Sequence, residues 1–322
     1  MSQPRLVAIT GATGFIGRHL VVALSRAGWR VRLLMRRDPA EPARRGIEPE
    51  IVAGSLGDLP ALERLVEGAD AVVHVAGLIK ASNRKRFFEV NCEGAAAVAD
   101  AIDRCAPAAH ALLVSSMAAR EPQLSDYAAS KRAGEDAFLQ RLGSRASVLR
   151  PPVVYGPGDR ETLLFFQLAE RRLIPLLGSA QARAAMIHVD DLVALMVAAL
   201  DAAPNGAVFS AADDRPQGYR WHELLGTAAR AVGNPAPRFV RIPQTALGIV
   251  AKAGDLAKLF GIASMLSTQK LRELRHEDWS VSLAEMPALP GWSPRFDLER
   301  GFAETAAWYR QVGWLAQARP SR

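Results

Sequence analysis

"AITGATGFIGRHL" (residues 8–20) sets Gly11, Gly14 and Gly17 three apart, between an apolar run and an amphipathic stretch. A strand that ends in a glycine turn and opens a helix is one way to hold a phosphate. Glycines let the backbone turn tightly and come close, while free N–H groups and the helix dipole favour negative charge. An ordinary strand-to-helix turn would look the same, so this stretch leaves both readings open. Its spacing, G-x-x-G-x-x-G, is wider than the commonest dinucleotide fingerprint.

The stretches around it carry a regular alternation. Short β-type runs at 5–10, 30–35, 47–54, 71–77 and 110–116 are separated by "GRHLVVALSRAG", "LPALERLVEGA" and "EVNCEGAAAVADAIDRCA", each with helical spacing of apolar residues. That alternation predicts an α/β fold, a Rossmann-like doubly wound parallel sheet with helices on both faces. "ASVLRPPVVYG" (146–156) supplies a sixth strand, and 183–203 reads as a connector followed by a helix. After residue 213 prolines multiply and five of the six tryptophans occur. The expected organisation is an NAD(P)-binding domain over 1–212, with part of 156–185 lent to the cap. Residues 213–322 form a smaller, mainly helical substrate-binding cap, with a return to the main domain near the C-terminus.

With 322 residues, 49% hydrophobic and 23% charged, the chain can bury a sizeable core. Its 40 basic residues against 33 acidic include only six lysines, and the arginine pairs are short with no aromatic interleaving. Nucleic-acid binding is therefore not expected. The arginine excess suits phosphorylated or acidic ligands, or an anionic membrane surface. Cys92 and Cys105 have neither disulfide nor metal-ligand spacing, so no metal is expected and a reducing cytoplasm fits. Neither a secretory signal nor a spanning apolar run stands out.

At the end of the second strand, where an NAD enzyme carries an acid for the ribose 2′-hydroxyl, "LLMRRDP" offers Met35, then Arg36 and Arg37, and Asp38 comes three residues after the acid's place. Arginines there suit a 2′-phosphate, which favours NADP over NAD; a solvated basic turn is the plain alternative. "GSLGD" (54–58) and "HVAG" (74–77) end the third and fourth strands on the same side.

"SDYAASKRAGE" (125–135) carries Tyr127 and Lys131 four apart on a predicted helix, hence on one face. An ammonium beside a phenol favours the phenolate, so this tyrosine can exchange a proton near neutral pH. Ser116, at the end of "ALLVSS", offers a hydroxyl to the same substrate oxygen. Ser115 competes, but alternation along a strand points the two to opposite faces.

The ordered set "TGATGFIG", "SS" at a strand end, "YAASK", "RPPVVYGPGD" and "MIHVDDL" spans residues 8–192. It resembles the extended short-chain dehydrogenase/reductase superfamily. The resemblance implies a Rossmann-like fold, a nicotinamide cofactor and a Ser–Tyr–Lys catalytic set, here Ser116, Tyr127 and Lys131, with Asn91 as the active-site-helix asparagine. It gives Gly11, Thr13, Gly14, Phe15, Ile16 and Gly17 the phosphate-loop role and Arg36, with Arg37, the 2′-phosphate. Ser55 and Leu56 fall where the family contacts adenine, although the usual acid is replaced by Ser55. Ala76 and Gly77 would line the cofactor, and Pro151–Val154 would pass near the nicotinamide. The stretch between Ser116 and Tyr127 is short for a nucleotide-sugar epimerase or dehydratase. Pro152 and Val153 also cannot supply the amide that those enzymes use. The short loop looks instead like the subgroup holding the complex I accessory subunit and bacterial lipid and steroid reductases.

In the C-terminal part, "PQTALGIVAKAGDLAKLFGIASML" (243–266) reads as a buried helix, an apolar substrate wall or a membrane-surface helix. Trp279, Trp292, Trp308 and His188 are read as packing residues, and Lys80 as a solvated side chain. The expected function is hydride transfer between NADP(H) and a ketone or secondary alcohol of a fairly apolar, lipid- or steroid-like molecule. Two alternatives stand beside it: nucleotide-sugar epimerisation or dehydration, and a non-catalytic cofactor-binding subunit. A homodimer and peripheral membrane association are also consistent with this reading.

Overall fold

The computed structural model describes residues 4–36, 46–177, 179, 181–259 and 267–317. In chain order the elements begin with β1 (Leu6–Thr10), α1 (Phe15–Arg26), β2 (Arg30–Met35), β3 (Glu50–Ala53) and α2 (Leu59–Val66). Next come β4 (Ala71–His74), α3 (Arg84–Phe88), α4 (Gly94–Cys105), β5 (His110–Val114), α5 (Asp126–Leu142) and β6 (Ala146–Arg150). The chain continues with β7 (Val153–Tyr155), α6 (Leu163–Ala169), β8 (Leu173–Leu176), β9 (Arg183–Ala184), β10 (Met186–His188), α7 (Val189–Asp201) and β11 (Val208–Ser210). Last are β12 (Tyr219–Arg220), α8 (Trp221–Ala231), β13 (Arg238–Arg241), α9 (Gln244–Leu259), α10 (Thr268–Arg275), β14 (Asp278–Trp279) and α11 (Leu298–Gln311).

Two compact units result. One holds Met1–Pro151, Leu192–Ser210 and Pro287–Ser293; the other holds Pro152–Asp191, Ala211–Met286 and Pro294–Arg322. The first is built on a seven-stranded sheet, order β3-β2-β1-β4-β5-β6-β11, in which every neighbouring pair is parallel. A parallel sheet covered on both faces needs strands that are apolar all round, and β1, β4 and β5 are buried at every residue. Helix α1 packs through Gly17, Leu20, Val21 and Leu24, the i, i+3, i+4, i+7 stripe that the sequence carries. Strand order reverses between β1 and β4, the crevice where open α/β sheets bind ligands.

Two departures from the expected strands have clear causes. The run at 146–156 breaks at Pro151 and Pro152, which lack the N–H that a continuing ladder requires. Residues 153–155 instead become β7, paired in parallel with β10 in the second unit. The seventh strand, β11, is only three residues long, too short for an alternation to register.

The second unit is cored by Tyr155, Phe166, Phe302 and Tyr309, with ring centroids 5.0–5.2 Å apart along the chain of contacts. Alongside its helices it contains three small sheets: β7–β10, β12–β9–β14 and the parallel ribbon β8–β13. His188 is packed here, stacked on Phe296 at 3.9 Å with Tyr155 edge-on at 5.4 Å. Trp279 and Trp308 border the same core. Of the apolar stretch 243–266, residues 260–266 lie outside the described residues.

Candidate active site

Gly11 follows β1 directly and has φ +77°, a left-handed conformation that costs a side-chain-bearing residue energy. A Cβ on it would also lie 2.5 Å from the Ala76 amide nitrogen, just past β4. The two strand ends at the reversal point therefore meet backbone to backbone. Gly17 is equally constrained by space, since its Cβ would stand 2.1 Å from the Gly11 carbonyl oxygen. Gly14 caps α1 and, being glycine, supplies no side-chain bond to the helix amides. Thr13 and Gly14 are exposed, and Phe15 and Ile16 half-buried.

Thr10 and His74, the last residues of β1 and β4, brace this junction. Thr10 Oγ1 and His74 Nδ1 lie 2.6 Å apart, and the Ala76 N–H donates to Thr10 Oγ1 at 3.4 Å. Burial, and then the Lys131 charge, lower the His74 pKa to about 3, so the imidazole is neutral. Sequence reasoning missed this pair; a histidine inside the otherwise apolar run "AVVHVAG" was the available signal.

Lys131 is buried on α5 and its Nζ donates to the Val114 carbonyl oxygen at 2.9 Å. Desolvation by burial lowers its pKa to about 8, while the nearby Glu135 carboxylate pulls the other way. Glu135 is itself engaged by Arg150 at the end of β6, through Nε at 2.9 Å and Nη2 at 2.5 Å. A Cβ on Gly77 would come 3.7 Å from Lys131 Nζ and 3.2 Å from Asn91 Oδ1. The absence of a side chain at Gly77 thus leaves an approach to the ammonium from the β4 loop.

Asn91 sits in a π turn, Glu89–Glu93, between α3 and α4. Single π turns of this kind occur often at functional sites, and nothing in the local sequence announces one. Gly134 of α5 packs against it so closely that a Cβ would fall 2.1 Å from the Asn91 carbonyl oxygen. The Asn91 side chain accepts from the Leu78 N–H at 2.7 Å. It donates to the Leu78 carbonyl at 3.0 Å and to Ser130 Oγ at 2.9 Å. Ser130 Oγ in turn donates to the Tyr127 carbonyl at 2.8 Å. One amide therefore ties the loop after β4 to the turn of α5 that carries Tyr127.

Tyr127 is half-buried one turn before Lys131, with the Phe87 ring 6.1 Å away. The two serines lie beyond the end of β5, so strand alternation no longer separates them. Ser116 is half-buried and its Oγ accepts the Ala118 N–H at 3.2 Å. Ser115 is buried, and its Oγ has no hydrogen-bond partner among the described residues.

Of the residues expected to meet the adenosine half of a cofactor, Arg36 is exposed one residue past β2, while Arg37 lies outside the described residues. Ser55 is exposed; Leu56 packs against Gly94 and the core between α2 and α4. Pro151 is buried at the end of the first unit. Val154 belongs to the second unit, opposite Ile187 on β10. No His/Cys/Asp/Glu group among the described residues could hold a metal ion.

A glycine-lined turn at the reversal of a parallel sheet, with a buried lysine beside the next strand end, fits a dinucleotide. This makes the molecule a nucleotide-binding α/β protein. Residues 7–212 match the NAD dependent epimerase/dehydratase family, and the chain belongs to that family. It is an NAD(P)-dependent oxidoreductase of the extended short-chain dehydrogenase/reductase type. A ceramide reductase of Caulobacter vibrioides is 48% identical over 312 residues, 96% of each chain. The mitochondrial NADH dehydrogenase [ubiquinone] 1 alpha subcomplex subunit 9 of Dictyostelium discoideum is more distant, 24% identical over 68% of this chain and 62% of its own length. The crystal structure of gox2253 superposes with a TM-score of 0.76 at 21% identity, covering 97% of this chain and 99% of that one.

Proposed function

We propose that this chain uses NADPH to reduce a ketone on a ceramide-like lipid, a long-chain N-acylated amino ketone, to the secondary alcohol. The observation that carries the reading is the 48% identity to the ceramide reductase along nearly the whole of both chains. Gly11, Thr13, Gly14, Phe15, Ile16 and Gly17 would hold the pyrophosphate, Ser55 and Leu56 the adenine, and Ala76, Gly77, Pro151 and Val154 the nicotinamide end. Bound there, the dinucleotide supplies the hydride. Tyr127 donates its phenolic proton to the carbonyl oxygen, and Ser116 hydrogen-bonds that oxygen to orient it. Lys131, charged below its pKa of about 8, stabilises the phenolate that is left and binds the ribose. Asn91 acts by holding the loop after β4 against α5, and so keeps Tyr127 in place.

The test is direct. The full chain, given NADPH and a long-chain 3-keto N-acyl amino alcohol in detergent micelles, consumes NADPH in step with secondary alcohol formed. Conversion of nucleotide sugars without net cofactor consumption, or NADPH binding with no carbonyl turnover, would overturn the reading.

Cofactor preference is assigned to Arg36, whose guanidinium would pair with the 2′-phosphate. Charge-assisted bonds of this kind are worth roughly 1.5–3 kcal/mol, about 10- to 100-fold in binding. Arg36→Ser therefore raises the KM for NADPH by at least about 10-fold and leaves that for NADH unchanged. Equal effects on both would refute the NADP assignment.

A further inference from the structure

We propose that the outer face of α9, together with the β8–β13 ribbon that leads into it, docks the second unit onto an anionic lipid bilayer surface. The proposal rests on no assignment of substrate. Helix α9 carries two apolar stripes where a surface helix ordinarily carries one. The first, Leu247 and Ala251, is buried with Leu271 of α10 and is packed by Leu177 and Ile242. The second, Ala246, Ile249, Val250 and Ala253, follows the i, i+3, i+4, i+7 spacing and is exposed. Ile249 is 70% exposed and Val250 55%. Single exposed aliphatic residues are ordinary, whereas a continuous stripe of them marks a contact surface.

The β8–β13 ribbon, whose strand β13 precedes α9 in the chain, adds further exposed apolar and basic residues. All four residues of β13 are exposed, with Phe239 and Val240 set between Arg238 and Arg241. Leu173, 57% exposed, lies in register with Arg238 across the ribbon.

Charge argues for the occupant: Phe239 borders a hollow shared with Asp214, Glu223, Asp297 and Glu299, of which Glu223 and Glu299 are paired with Arg215 and Arg230, and the docking segment itself is basic. From Pro235 to Gly254 the sequence has no acidic residue and three basic ones, Arg238, Arg241 and Lys252. The next acid, Asp255, is occupied as an acceptor from the Thr268 N–H at 3.1 Å. A second copy of this chain on the same face would bring those cations together, whereas anionic headgroups neutralise them. Apolar side chains reaching the acyl boundary, with arginine and lysine at headgroup depth, is the pattern of an interfacial helix.

Sedimentation of the full chain with phosphatidylcholine vesicles, with or without a quarter phosphatidylglycerol, tests this. Binding is expected to the anionic vesicles and to weaken with salt. Each basic residue near such a surface contributes about five-fold, so Arg238→Glu/Arg241→Glu lowers affinity by at least about 20-fold. Ile249→Glu/Val250→Glu lowers it by about 10-fold or more. Both variants should keep the parent melting temperature and turnover of a short, water-soluble ketone. If the α9 variant fails to fold, the ribbon variant, altered only at exposed side chains, still decides the matter. Unchanged vesicle binding in the ribbon variant overturns the proposal. So does an α9 variant that turns an oligomer into monomers at unaltered vesicle affinity, which would give this face to a second copy.

Discussion

Tyr127→Phe should lower kcat for ketone reduction by about 10²–10⁴-fold, the range for removing a positioned general acid, with the Kd for NADPH unchanged within error. The aromatic ring stays, so its packing against Phe87 and the helix it sits on are preserved. Neither the Asn91–Ser130 tie nor the Lys131–Val114 bond involves the phenolic oxygen, since Ser130 meets Tyr127 through the backbone carbonyl. The substitution removes the phenolic hydroxyl and keeps the ring. Single-turnover kinetics with pre-bound NADPH separates this from a binding defect. Retained turnover would remove Tyr127 from the chemistry and with it the assigned roles of Ser116 and Lys131.

Gly17→Ala is expected to damage fold and binding together. The added Cβ would sit 2.1 Å from the Gly11 oxygen and 2.9 Å from Ala12 Cα, both backbone atoms that no rotamer change can move. Relief requires α1 to slide away from the turn, at a cost of about 2–3 kcal/mol by analogy with overpacked cores. That corresponds to a fall of roughly 5–10 °C in Tm for a unit of this size. The same displacement pulls the first-turn amides off the phosphate position, so NADPH binding weakens by at least about 10-fold, as expected for the loss of even one bond to a charged group. Gly57→Ala is the control, because the nearest atom to its Cβ would be Ser55 Oγ at 4.0 Å. Parent-like Tm and affinity in Gly17→Ala would refute the close approach at the turn.

The first unit was legible because its elements are long and their periods distinct. Runs such as "LVAIT" and "AVVH" are apolar enough to be buried on both faces, and α1 shows its stripe without ambiguity. Reading failed where structure is set by single residues or by distant partners. Two prolines end β6, and the three residues of β11 are a strand only because β6 lies beside them. The π turn at Asn91 depends on Gly134, more than forty positions along the chain. Candidate residues could be listed from motifs, but not the bracing around them. The Thr10–His74 pair and the clasp of Arg150 on Glu135 follow from which strand ends the sheet brings together. Ser115 and Ser116 illustrate the limit: alternation was the argument for separating them, and both lie past the last residue of β5.

The buried ammonium of Lys131 has a thermodynamic side. Burial brings its pKa to about 8 in the folded chain, against the ordinary lysine value of 10.5. In that interval the unfolded chain binds the extra proton, so stability rises with pH there, by on the order of 3 kcal/mol once the window is crossed. Deprotonation over the same range removes the charge on which a phenolate partner relies. Alkaline titration should therefore raise the urea midpoint while turnover declines, so that the conditions that toughen the molecule are those that silence it. A midpoint flat across that window would mean the ammonium is better solvated than its surroundings imply.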